Sequence, residues 1–171
     1  AVVKDLVDEQ EFKGAAGSSV FTRVAGMPFK HVGLVGLGDA DAITGDAWMA
    51  LGKEATAQAT KAKVNTVAVG KYWMGDEEAA FRGKANGIAA GAFLGSFEDS
   101  RFKSDAKPGS VKTVHVLTQP GVDVTPEIAA GKAKASGVVL TKQLVAAPPN
   151  VVTPTALADV AGLIAAEFPD V

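Results

Sequence analysis

The sequence predicts an α/β fold: a three-layer, mostly parallel or mixed sheet flanked by helices, followed by one further linker helix. Three observations carry that expectation. Short Val-rich runs alternate with longer segments of helical period. The runs "KHVGLVGL" (30–37) and "VNTVAVG" (64–70) are nearly continuous in apolar residues, as in strands covered on both faces. The later helices open and close on strong punctuation: Thr125-Pro126, Pro148-Pro149 and Thr153-Pro154.

Taken in order, the first element is a helix through about Gln10, with Val3, Leu6 and Val7 at helical spacing. "FKGAAGSS" is a loop and "VFTRV" (20–24) a short strand. The run 30–37 follows, then a helix from about Ala47 to Lys63, then the strand 64–70. Residues 75–97 read as a long helix with acidic residues at its positive N-terminal end. Its Phe81, Ala85, Ile88 and Ala92 form one buried stripe. "VKTVHVL" (111–117) is the next core strand. Thr125 is the expected N-cap, with Pro126 at the first helical position, of a helix running to about Ala146. The residue before a proline avoids the α region, so Ala147-Pro148-Pro149 ends it. Thr153-Pro154 repeats the start signal, and Leu157, Val160, Ala161, Ile164 and Phe168 line one face of the final helix. Residues 1–147 therefore read as one α/β domain, and 148–171 as an elbow with a linker helix.

Composition excludes several function classes. A length of 171 residues fits one domain or one domain with an appendage. Seventeen Lys and Arg nearly balance nineteen Asp and Glu, for a formal net charge of −2, and no basic cluster offers itself to phosphates. Nucleic acid is thus not an expected partner. No cysteine means no disulfide and no thiolate chemistry. No apolar run reaches the roughly 18 residues of a membrane span, and the N-terminus has neither a signal nor a transit composition. A soluble protein is expected. The chain opens without methionine, in the middle of a helical pattern, as a processed or partial chain does.

Candidate sites each have a plainer structural reading. Gly33, Gly36 and Gly38 follow a strand as phosphate loops do, but without the GxGxxG order or GK[ST], so tight turns and close packing are the favoured reading. "KYWMGDEE" (71–78) places Tyr72, Trp73 and Met74 where α/β crevices lie, or packs them in a core or interface. Gly33, Gly36, Gly38, Tyr72 and Trp73 together form the candidate ligand crevice. Gly83, Gly87, Gly91 and Gly95 recur every fourth residue, each costing about 1 kcal/mol against Ala, and close helix packing is the natural compensation. His31 and His115 sit in apolar strands without an HExxH spacing, which suits strand histidines better than metal ligands. Glu98, Asp99, Arg101 and Lys103 form a self-compensating charged loop. No Ser-His-Asp or P-loop constellation can be assembled.

Three stretches carry a resemblance: "KHVGLVGLG" (30–38), "GAFLGSFEDSRFKS" (91–104) and "SGVVLTKQLVAAPPNVVTPTALADVA" (136–161). Together they resemble the N-terminal half of the leucyl aminopeptidases of the M17 metallopeptidase family, and "FEDSRFKS" resembles the plant and algal, chloroplast-type members. The resemblance spans nearly the whole chain. It implies a macro-domain-like N-terminal domain, a connecting helix and a C-terminal catalytic domain, assembled as a hexamer. It also implies removal of N-terminal residues with two divalent ions (Zn, Mn or Mg), held by Lys, Asp and Glu in motifs similar to "KG.TFDSGG" and "NTDAEGR". Neither motif occurs here, so no catalytic or metal-binding residue is assigned. The family's opening strand has no counterpart before Ala1, and Val171 falls about where a catalytic domain would begin. Two departures stand out: Ala146 replaces the Asn of the usual "VNAPPN", and 71–78 has no family counterpart.

The expectation is a non-catalytic N-terminal domain that binds no cofactor of its own. Its partners would be an M17 catalytic domain and further copies in a hexamer, in the chloroplast stroma or cytoplasm. The interdomain elbow is Pro148, Pro149, Asn150, Thr153 and Pro154. The alternatives are a nucleotide (ADP-ribose-type) or nucleic-acid binding module, or a structural subunit of a larger assembly.

Overall fold

A computed structural model describes residues 2–70, 78–105 and 109–169, with side chains from residue 82 onward in the second stretch. Helix α1 (Val2–Glu9) leads to strands β1 (Ser19–Arg23) and β2 (His31–Val35). Helix α2 (Gly45–Lys61), strand β3 (Thr66–Val69), helix α3 (Glu78–Ser96) and strand β4 (Thr113–Val116) alternate after them. Helices α4 (Thr125–Ala146) and α5 (Pro154–Glu167) close the chain. This is the α/β order read from the sequence, with one added 3-10 turn at Ala40–Ala42.

The sheet is mixed and comes as two pairs. β1 and β2 pair antiparallel, with Phe21 opposite Gly33 and Arg23 opposite His31. β3 and β4 pair in parallel, with Val67 beside Val114 and Val69 beside Val116. The two pairs share a core without bonding to each other. That core is Trp48 and Leu51 of α2, Ile88 of α3 and Val69 of β3, with Val35, Leu37, Ile43, Ala55, Val67, Val114 and Val116 packed around it. A second cluster joins Ala85 of α3 to Val124, and Val116 belongs to both.

One expectation about the strands needs correction. β3 and β4 are not covered on both faces among the described residues: Val67, Val69, Val114 and Val116 face the helices, while Thr66, Ala68, Thr113 and His115 are exposed. Side chains alternate along a strand, and "TVAV" beside "TVHV" puts the valines together on the covered face.

The helices pack as a row, α2 against α3 and α3 against α4. Glycines set the separation. A Cβ on Gly91 would strike the Met49 carbonyl oxygen, one on Gly52 the Ile88 carbonyl, and one on Gly95 the Thr56 hydroxyl. Gly131 brings α4 equally close to the Asn86 carbonyl of α3. A Cβ on Gly87 would approach the Trp48 Cβ to 2.9 Å, so three of the four periodic glycines of α3 have a packing reason, whereas Gly83 has nothing within 4 Å among the described residues. The fully buried Thr56 satisfies its hydroxyl locally, donating to the carbonyls of Gly52 (3.1 Å) and Lys53 (3.0 Å).

Helix ends show a second correction. Thr125 is the first residue of α4 rather than its cap. The carboxylate of Asp123 accepts from the Thr125 amide (2.9 Å) and hydroxyl (2.7 Å), doing the capping from two residues upstream. Asp suits this place because two donors and the helix N-terminus favour its charged form, and its carboxyl is accordingly held below the usual range, chiefly by the Thr125 hydroxyl. Arg82 then ties α3 to this corner, donating to the Asp123 carbonyl (2.8 Å) and to Glu127 Oε1 (3.1 Å).

Candidate functional site

The elbow follows from proline chemistry. α4 stops at Ala146, and Ala147 takes an extended conformation (φ −74°, ψ 145°), as a residue before proline must. Pro148 and Pro149 have no N–H, so the carbonyls of Leu144 and Val145 lose the donors that a continuing helix would supply. The Pro148 carbonyl accepts from the amides of Val151 (2.9 Å) and Val152 (3.0 Å), which closes a tight turn through Asn150. Thr153 caps α5, its hydroxyl accepting from the Ala156 amide (3.2 Å), with Pro154 at the first helical position. The five elbow residues named from the sequence therefore form one continuous turn-and-cap device.

Beyond it, α5 offers apolar surface to solvent. Leu157 is 45% exposed, Leu163 71%, Ile164 37% and Phe168 52%. Val160 of the same stripe is half-buried and Ala161 exposed. Leu163 lies off the stripe, so its exposure escaped the face-by-face reading. No residue of α5 is buried.

The "FEDSRFKS" loop sits against the last turns of α4. Arg101 forms a two-pronged pair with Asp99, from Nε to Oδ1 (2.9 Å) and from Nη2 to Oδ2 (2.7 Å). The same Nη2 reaches the Gln143 carbonyl at 2.6 Å. Lys103 pairs with Glu98 at 3.1 Å, so the charges do compensate one another. Between loop and helix lies an open cavity of about 400 Å³, lined by Phe97, Asp99, Phe102, Lys142 and Ala146 among others. The Lys142 ammonium lies 5.5 Å from the Phe97 ring centroid, a cation–π distance.

The three glycines of the candidate crevice lie in and just after β2. Gly33 faces the Phe21 ring, which a Cβ would approach to 2.9 Å. Gly36 is roofed by the 14–18 loop: a Cβ would meet the Ala15 carbonyl, and the Gly36 amide donates to the Ser18 carbonyl at 2.8 Å. Gly38 takes φ +84°, a glycine-favouring conformation, with its amide on the Gly14 carbonyl (3.0 Å). All three glycines thus have turn or packing duties. Tyr72, Trp73 and Met74 lie outside the described residues. His31 stacks on Phe21 (centroids 5.3 Å apart), and His115 lies on the exposed face of β4.

Among the described residues no three His, Asp or Glu side chains converge as a metal site would require. No helix among them is long and apolar enough to cross a membrane.

Comparison with known proteins agrees with the fold. A family model described as the cytosol aminopeptidase family, N-terminal domain, matches residues 1–106. The neutral leucine aminopeptidase, chloroplastic, of Solanum lycopersicum is 35% identical over 172 residues, covering 99% of this chain and 30% of that protein. A probable cytosol aminopeptidase of Trichormus variabilis is 40% identical over 176 residues, covering 98% and 34%. Among solved structures, a tomato leucine aminopeptidase mutant superposes with a TM-score of 0.87 at 33% identity, covering 99% of this chain and 33% of that one. The bottromycin maturation enzyme BotP in complex with Mn superposes at 0.68 with 25% identity, covering 94% and 33%. The chain spans about a third of the length of these relatives. With residues 1–106 matched and 99% of this chain superposed on the tomato structure, the chain belongs to the cytosol aminopeptidase (M17) family and carries that family's N-terminal domain.

Proposed function

We propose that these residues are the non-catalytic part of a leucyl aminopeptidase, a two-metal exopeptidase that removes N-terminal residues. In this reading residues 1–147 help to assemble a homo-hexamer, and residues 148–171 carry the chain to the catalytic domain and set its position. The observation that carries the proposal is α5: an elbow built from two prolines and a capping threonine holds out a helix whose Leu157, Leu163, Ile164 and Phe168 are exposed. Full burial of such side chains is worth about 1.5–3 kcal/mol each, so the helix gains most when a partner domain covers it.

The two divalent ions and the hydrolytic groups belong, in this proposal, to the catalytic domain. Among the described residues no cluster of His, Asp or Glu forms a donor set for them, and no step of hydrolysis is assigned to this chain. The near-neutral charge argues against nucleic acid as a partner. The chloroplast stroma or the cytoplasm is the proposed location, supported by relatives called chloroplastic in Solanum and cytosol aminopeptidase in Trichormus.

The test is a double substitution on α5, Leu157→Asp with Leu163→Asp. In the 171-residue chain alone it should change unfolding stability by no more than about 0.5 kcal/mol, as at other exposed positions. In a polypeptide that also carries a cytosol aminopeptidase catalytic domain, it should lower thermal stability and weaken assembly, read by calorimetry and light scattering. Equal, small effects in both settings would remove the interdomain role.

A further inference from the structure

The end of α4 has a donor shortage that one side chain relieves. The carbonyls of the last four residues of a helix lack intrahelical partners, and Pro148 and Pro149 withhold two of the amides that a continuing chain would supply. The Gln143 carbonyl, at the start of that last turn, takes its donor from Arg101 at 2.6 Å. Arg101 is in turn held in a fixed plane by both oxygens of Asp99, a fork geometry that lysine cannot reproduce. The rest of the loop touches the helix lightly, across an open cavity and through the Lys142–Phe97 contact. The elbow begins five residues after Gln143.

We infer that Arg101 is a positioning residue: anchored by Asp99, it clamps the last turn of α4 and so fixes the direction in which the elbow launches α5. The consequence for an assembled aminopeptidase rests on the proposed function, but the clamp itself is a property of this chain.

The chain has no cysteine, so two can be introduced for spin labels without background, at the exposed positions Lys134 on α4 and Ala165 on α5. Electron-paramagnetic distance measurement on the labelled chain should give a narrow distribution that broadens with Arg101→Ala. Arg101→Lys should not restore it. Amide exchange at Val145 and Ala146 should accelerate roughly threefold to tenfold, the range for a lost charged hydrogen bond at a solvated site. Lys103→Ala, which removes only the neighbouring pair, should leave the distribution narrow. If Arg101→Ala disturbs the fold by circular dichroism, Asp99→Asn removes the anchor while keeping the arginine, and it should broaden the distribution by itself. A folded Arg101→Ala or Asp99→Asn chain with an unchanged distribution overturns the inference, as does equal broadening by Lys103→Ala. None of these readouts requires peptidase activity, so they separate failure of the clamp from failure of the functional reading.

Discussion

Asp99 accepts from the Arg101 guanidinium through both oxygens, and that pairing, more than the charge of Lys103, holds its carboxyl at about 2. The folded value lies below the ordinary carboxylate value of about 3.9. What the pair contributes is therefore fully present above that value and is lost as pH falls through about 2. The Asp99 carboxyl carbon, followed by NMR, should titrate near pH 2, and a midpoint close to the ordinary value would contradict the pairing. Lys63 poses a different residue-scale problem. It takes φ +57° just after α2, with its amide on the Thr60 carbonyl (3.0 Å) and the Val64 amide on the Ala59 carbonyl (3.0 Å). This is the Schellman arrangement, in which glycine normally supplies the left-handed residue. Lys63→Gly should raise unfolding stability by up to about 1 kcal/mol in chemical denaturation, since the left-handed conformation costs an L residue about that much.

At the scale of elements, the glycine ladder of α3 separates packing from chance. Gly91→Ala would place a methyl group on the Met49 carbonyl of α2. Forcing the helices apart should cost about 1–3 kcal/mol, more than the gain of about 1 kcal/mol in helix propensity. Gly83→Ala meets nothing within 4 Å among the described residues, so it should stabilise by up to about 1 kcal/mol. Denaturant midpoints of the two variants should move in opposite directions, and a shared direction would refute the close-approach account. The same ladder shows what a sequence exposes and what it hides. Proline punctuation makes the C-terminal end of α4 and the start of α5 legible to the residue. A four-residue glycine period announces a close contact but cannot say which element supplies it, nor that Gly83 falls outside. The capping role of Asp123 was concealed by the stronger Thr125-Pro126 signal. The half-open strands were legible in the strict alternation of "TVHV", once its histidine is read as a solvent-facing residue. The Arg101–Gln143 contact joins residues 42 apart, and no local pattern signals such a pair.

For the whole molecule, the two strand pairs, the helix row and the elbow form a scaffold that ends in an exposed apolar helix. Residue-level patterns suffice for the α/β class, because periodicity and turn chemistry are local. They do not suffice for function: the three glycines of the proposed crevice are engaged in turns and packing, and the family resemblance is carried by three longer stretches, 30–38, 91–104 and 136–161, taken together. In the proposed function these residues position a catalytic domain and do no chemistry themselves. The decisive assay is hydrolysis of leucine p-nitroanilide by the purified 171-residue chain with added manganese or zinc. No nitroaniline should be released above the metal-only control. Turnover that co-elutes with the chain, disappears with a chelator and returns with metal would contradict it.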